Sequence, residues 1–150
     1  MKIINTSNLT QVRKQIQQLK KDKQQVIVQA QDDAFNRKIL ENKDIDILLS
    51  PESHTRKDYM KQRDSGLNEI LCKLAKKNNI KIAINLQELK KQPSKNKAII
   101  LARIKQNIQL CKRTKTQIIV IDKEKHTKQE ITSFFLALGA STQQAKQALA

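Results

Sequence analysis

Tryptophan is absent from this chain, and its aromatic residues are Tyr59, Phe35, Phe134 and Phe135. That inventory gives little support to a platform stacking successive bases on aromatic rings. Recognition of phosphate and of shape fits it better. Glycine occurs only at positions 66 and 139, so neither a GxGxxG turn nor a P-loop can be built. No GxSxG nucleophile elbow is present. The two histidines, His54 and His126, fall in no HxH or HExxH spacing, and a catalytic zinc needs at least three protein ligands. Cys72 and Cys111 form no CxxC and lie within apolar-periodic segments; they read as reduced core residues. No run approaches the roughly 20 apolar residues that span a bilayer. Met1–Asn5 lacks the apolar core of a signal peptide, so no membrane association and a cytoplasmic location are expected.

What the chain does have is positive charge. Thirty Lys+Arg against 14 Asp+Glu leave a net +16 over 150 residues. An excess of that size repels itself unless a polyanion screens it. The length suits one domain with one continuous core, over residues 1–150. Short runs dense in Ile, Val and Leu alternate with helical periodicity. The strand candidates are Lys2–Asn5, Gln25–Ala30, Ile45–Ser50, Ile80–Asn85 and Gln117–Asp122, each reading as buried on both faces. Leu9, Val12, Ile16 and Leu19 share a helix face, as do Leu67, Ile70, Leu71 and Leu74, and then Ile100, Ile104, Ile108 and Cys111. Asp32 and Asp33 suit a helix start, where acid offsets the dipole. Ser94 is placed to cap the long helix after Gln92-Pro93. Thr127 with Glu130 and Ser141 with Gln144 form two capping boxes, and Gly139 can close the helix ending at Leu138. This alternation implies an α/β fold with a parallel sheet, open or curled towards a barrel. The longest connection without apolar periodicity, PESHTRKDYMKQRD from Pro51 to Asp64, follows the carboxyl end of a strand. In parallel α/β folds that rim binds ligands, and loops of this length are commonly functional.

From Asp32 onward the sequence resembles a known family. DDAFNRKILENKDIDILLSPE (Asp32–Glu52) and QRDSGLNEILCKLAKKNNIKIAINL (Gln62–Leu86) are similar to ribonuclease P protein component 3, the thirty-kilodalton subunit in eukaryotes. The elements that match are Arg37, the strand Ile45–Pro51, the turn Arg63–Asn68, Leu71–Ala75 and the strand end Ile84–Leu86. The Ala98–Lys115 helix ending in LCKRTK and the closing LGASTQQAKQALA (Leu138–Ala150) follow in order. The resemblance implies a TIM-barrel-like α/β fold, related to the polymerase-and-histidinol-phosphatase hydrolases but without their metal ligands. Here it would be N-terminally truncated or incomplete, since five strands are readable where a closed (β/α)₈ barrel has eight. It further implies pairing with ribonuclease P protein component 2, docking on ribonuclease P RNA, and support of 5′-leader removal from precursor tRNA. The RNA would cleave with its own magnesium, and the protein would bind no cofactor.

Candidate RNA contacts are Arg37, at the family's arginine position, the loop cations Arg56, Lys57, Lys61 and Arg63, and, for RNA or a protein partner, Lys97 and Arg103 near the start of the long helix. Each has a plainer reading: Arg37 as a solvated first-turn arginine, Arg63 as the partner of Asp64, Lys97 and Arg103 as solvated surface. Asp64 or Ser65 is expected to cap the following helix, and Asn85 the next one. Phe134, Phe135 and Leu138 read as core, or as a face for a protein partner. Two other functions stay open: a metal-dependent phosphoesterase of the related barrel, and a basic protein-binding scaffold.

Overall fold

The computed structural model describes residues 1–150. Its backbone is one parallel sheet of five strands, β1 (Ile3–Ile4), β2 (Ile27–Gln29), β3 (Ile47–Leu49), β4 (Lys81–Ile84) and β5 (Ile118–Val120), lying side by side in chain order. Order 1-2-3-4-5 with every pair parallel is the winding of a barrel rather than of a doubly wound sheet, whose strand order reverses. All five expected strands are found, each trimmed at its ends.

The two-residue period of a strand sorts its side chains onto opposite faces. Ile4, Val28, Leu48, Ile82, Ile84, Ile118 and Val120 point into the main core, shared with the helices. Ile27, Ile47, Leu49, Ala83, Ile119 and Ile121 form a separate buried cluster on the other face, with Ile3 against it. Both faces are therefore apolar, which is why these strands read as unbroken hydrophobic runs.

Seven helices connect and flank the strands. They are α1 (Leu9–Lys21), α2 (Asp33–Leu40), α3 (Glu69–Lys77), α4 (Leu86–Lys91), α5 (Ser94–Thr114), α6 (Lys128–Ala137) and α7 (Thr142–Gln147). Their starts follow from short polar side chains that accept orphan N–H groups. Asn8, Asp32, Asn68 and Asn85 cap α1 to α4. Both capping boxes form, at Thr127/Glu130 and Ser141/Gln144. Three expectations need correction. Asn68, not Asp64 or Ser65, caps α3. Pro93 occupies the cap position of α5, and Ser94 makes no side-chain cap. Arg37 lies in the last turn of α2, not its first.

The carboxyl ends of β4 and β5 are tied together. Buried Asp122 accepts hydrogen bonds from the N–H groups of Leu86 and Gln87 at 3.1 and 3.0 Å, and from His126 Nε2 at 2.9 Å. Burial pushes the Asp122 carboxyl upward, but the His126, Leu86 and Gln87 bonds outweigh it and hold it below its ordinary value. Asp122 thus anchors the first turn of α4. Cys72 and Cys111 are free thiols, both buried in the core.

Candidate nucleic-acid interface

Loop Pro51–Leu67 leaves the carboxyl end of β3 and returns to α3, and it owes its shape to α5. A single 3-10 turn at Pro51–Ser53 opens it, after Ser50 in a left-handed conformation (φ 52°). At the other end Gly66 has φ 81°, and a Cβ there would lie 2.0 Å from the Pro51 carbonyl oxygen. Only glycine lets the two ends of the loop cross this closely.

Arg103 of α5 fills the centre. Its side chain is 5% exposed. Nη1 donates to the carbonyls of Glu52 and His54 at 3.1 and 2.9 Å, and Nη2 to that of Arg56 at 2.8 Å. Nε meets Asp58 Oδ1 at 3.1 Å. One planar fork thereby fixes four points of the loop, a task suited to guanidinium and not to an ammonium. One turn on, Asn107 donates to the Ser65 carbonyl at 3.0 Å, and Gln106 to that of Arg63 at 3.3 Å.

Two carboxylates complete the frame. Asp58 Oδ1 accepts the Asp64 N–H at 2.8 Å, and Asp58 Oδ2 lies 3.6 Å from Arg63 Nη1. Burial pushes the Asp58 carboxyl up, but the Asp64 N–H, Arg103 and Arg63 together hold it below its ordinary value. Asp64 accepts from Arg56 Nε at 3.2 Å and from the Gly66 N–H at 3.2 Å. His54 Nε2 donates to the Asp64 carbonyl at 2.6 Å. Its imidazole is kept below the ordinary histidine value mainly by burial, helped by the charges of Arg103 and Arg56 and opposed by Asp64. Glu52 is the anomaly. It is buried, its Oε2 has no hydrogen-bond partner, and burial pushes its carboxyl up to about 7 despite a backbone N–H and Arg103.

This frame sorts the expected contacts. Arg103 is no surface cation: all three of its side-chain nitrogens are engaged inside the chain, which corrects its placement among the RNA-facing residues. Arg56 is partly engaged, by Asp64 and by the Gln31 carbonyl at 3.4 Å. Arg63 pairs loosely with Asp58, not with Asp64, and stays half exposed. Lys57 and Lys61 are exposed and make no ion pair. Between Asp58 and Arg63 the chain turns back on itself, with an antiparallel bridge joining Tyr59 to Gln62. Tyr59 and Met60 stand at the tip, 64% and 99% exposed. A cleft of about 300 Å³ separates residues 53–58 from the start of α5 and is lined by Lys57, Asn96, Ile99 and Arg103. Lys97 sits half-buried on that first turn. Arg37 stands apart on α2, paired with Glu41 at 3.4 Å and largely exposed. Asp58, Glu52, His54 and Tyr59 were not anticipated, and Asp64 was expected only as a helix cap or as the partner of Arg63. The signal for the aspartates was their placement among four cations in one loop.

No three His, Cys, Asp or Glu side chains converge on a point where a metal ion would be held. The fold and rim define a parallel α/β protein with a braced cationic loop at the carboxyl ends of its strands.

The chain belongs to the family described as RNase P subunit p30, whose model matches residues 3–150. Its relatives include ribonuclease P protein component 3 of Methanococcus vannielii, 27% identical over 117 residues, which are 78% of this chain and 48% of that protein. The Methanosarcina acetivorans protein of the same name is 30% identical over 95 residues, 63% of this chain and 36% of that one. The chain thus spans about half the length of the Methanococcus relatives it matches. A chain in a cryo-EM structure of archaeal ribonuclease P with mature tRNA superposes with a TM-score of 0.79 at 20% identity, over 98% of this chain and 62% of that one. The five-stranded parallel sheet is consistent with the TIM-barrel-like fold expected.

Proposed function

We propose that this chain is an RNA-binding protein subunit of ribonuclease P, supporting RNA-catalysed removal of the 5′ leader from precursor tRNA. The carrying observation is the braced loop that holds Lys57, Lys61 and Arg63 outward on a chain of net charge +16. Membership of the RNase P subunit p30 family supports RNA as the partner of that charge. Exposed lysines and arginines on a rigid support neutralise phosphate repulsion and release counterions, which steadies a folded RNA without recognising its sequence. In this reading Lys57, Lys61 and Arg63 form the main contact. Arg56 and Lys97 border it, and Arg37 makes a second, separate one. Arg103 acts from beneath as a positioning residue.

The sheet would be an arc of a barrel related to the polymerase-and-histidinol-phosphatase hydrolases. Ribonuclease P protein component 2 would be the protein partner and the cytoplasm the location. No helix of the structure is long and apolar enough to cross a membrane. Magnesium would be held by the RNA, with no cofactor on the protein. The chemistry of the loop favours this over a phosphoesterase, because its carboxylates Asp58 and Asp64 are already engaged by arginines and backbone N–H groups.

The test is the salt dependence of ribonuclease P RNA binding by the purified chain. Engagement of six phosphates gives a log-log slope of roughly −4 to −5. The pair Lys57→Ala and Lys61→Ala should make that slope shallower by about two, one for each phosphate no longer neutralised. Binding that ignores salt, or a slope unmoved by the pair, refutes the proposal.

A further inference from the structure

Tyr59 is the one aromatic side chain that the fold leaves open. Phe135 is fully buried, and Phe35 is nearly so. Phe134, partly buried, packs edge-on against Phe135 at 5.8 Å and lies against the core. Tyr59, by contrast, is 64% exposed at the tip of the turned-back segment, with exposed Met60 beside it.

Exposing an apolar pair costs solvation, and a slack loop would fold it inward. Here the base of the tip is clamped on both sides. Asp58 is held by Arg103, by Arg63 and by the Asp64 N–H. Asp64 is held by Arg56, and its carbonyl by His54. The Tyr59–Gln62 bridge closes the turn, with the Gln62 N–H donating to the Tyr59 carbonyl at 3.3 Å. The ring is thus carried on a braced support, which lowers the ordering cost of binding. Cations flank it on both sides: Lys57 two positions before, Lys61 two after, and Arg63 just past the Tyr59–Gln62 bridge.

An exposed π-face between lysines matches an unpaired nucleotide. The ring accepts a base, and the ammonium groups accept the phosphates on either side. A base inside a duplex already has its faces covered by its neighbours, so it offers nothing to the ring. An acidic protein segment would answer the charge but not the flat exposed ring.

We infer that the Asp58–Arg63 tip is a site for a single-stranded or bulged nucleotide of RNA, with Tyr59 stacking on the base and Lys57 and Lys61 on the adjoining phosphates. This rests on the RNA-binding reading above and deepens it: it separates one stacking contact for an unpaired nucleotide from the general phosphate attraction. Scarcity of aromatics rules out a broad stacking platform, but a single well-placed ring suffices for one base.

The sequence supplies its own probe. The chain has one tyrosine and no tryptophan, so intrinsic tyrosine emission reports on Tyr59 alone. The full chain is titrated with oligouridylate and, separately, with a blunt RNA duplex of equal charge. Free tyrosine amide in the same RNA corrects for absorption. Stacking predicts quenching that saturates with the single strand and is much weaker with the duplex. It also predicts that Tyr59→Phe retains single-strand affinity, whereas Tyr59→Ala loses roughly tenfold. Salt-dependent RNA binding with unquenched emission and a silent Tyr59→Ala overturns the stacking site and leaves the phosphate reading intact. Absence of binding to any RNA overturns both.

Discussion

At the scale of single residues, the loop depends on a side chain that touches almost no solvent and on another that gains nothing from its burial. Replacing Arg103 by Met leaves three carbonyls and the Asp58 carboxylate without their donor. A broken buried charge network of this kind costs about 3 kcal/mol or more. Urea unfolding of Arg103→Met should show that loss, and Arg103→Lys should not restore it, because one ammonium cannot span the carbonyls of Glu52, His54 and Arg56 together with Asp58. Glu52 acts in the opposite sense. Its folded-state value is raised from 4.5 to about 7, so the folded chain holds a proton there that the unfolded chain has released. Its contribution is fully present below pH 4.5 and is lost as pH rises through 7. The shift corresponds to ~3 kcal/mol. Glu52→Gln should therefore raise stability at about pH 8 by up to that amount and change little below the ordinary carboxylate value. Denaturation midpoints across pH decide this; equal effects at both ends would contradict it. His54, lowered from 6.5, slopes the other way: its stability is present above that value and falls as pH drops below it.

At the scale of elements, periodicity and caps carried most of the fold. The five strands were legible because both of their faces are buried, so Ile, Val and Leu fill every position of Ile47–Leu49 and Ile118–Val120. The two capping boxes were legible because their bonds lie within four residues of sequence. What escaped was long-range. Arg103 sits in α5 one position before Ile104, within a strongly apolar stretch, and looked like solvated surface. Nothing local shows that residues 52–58, some fifty positions earlier, come to rest against it. Arg103 and Asn107 are four apart, and both hold the loop. They make a polar stripe beside the apolar one formed by Ile100, Ile104 and Ile108. That stripe was the available signal. The Asp64 cap was misassigned for a related reason: a distant arginine and the adjoining turn claimed its carboxylate, leaving Asn68 to start α3. The candidate site was thus half legible. Its cations could be read from the loop, but the frame that turns Lys57 and Lys61 outward and Arg103 inward could not.

At the scale of the whole molecule, the sheet supplies rigidity and the surface supplies charge. Apolar clusters buried on both faces of the five strands hold the rim in place, so a basic loop mounted there keeps its lysines spread instead of collapsing. The net charge of +16 resists self-association and favours a polyanion. On the proposed function, cleavage belongs to the RNA and support to this scaffold, a division that can be tested directly. Precursor tRNA cleavage should be measured with ribonuclease P RNA and the remaining protein subunits, with and without this chain, across magnesium concentrations. Adding the chain should lower the magnesium needed for leader removal, and the Lys57→Ala, Lys61→Ala pair should restore part of that requirement. Cleavage unchanged by the chain at every magnesium level, or persisting with the RNA left out, would contradict that division of labour.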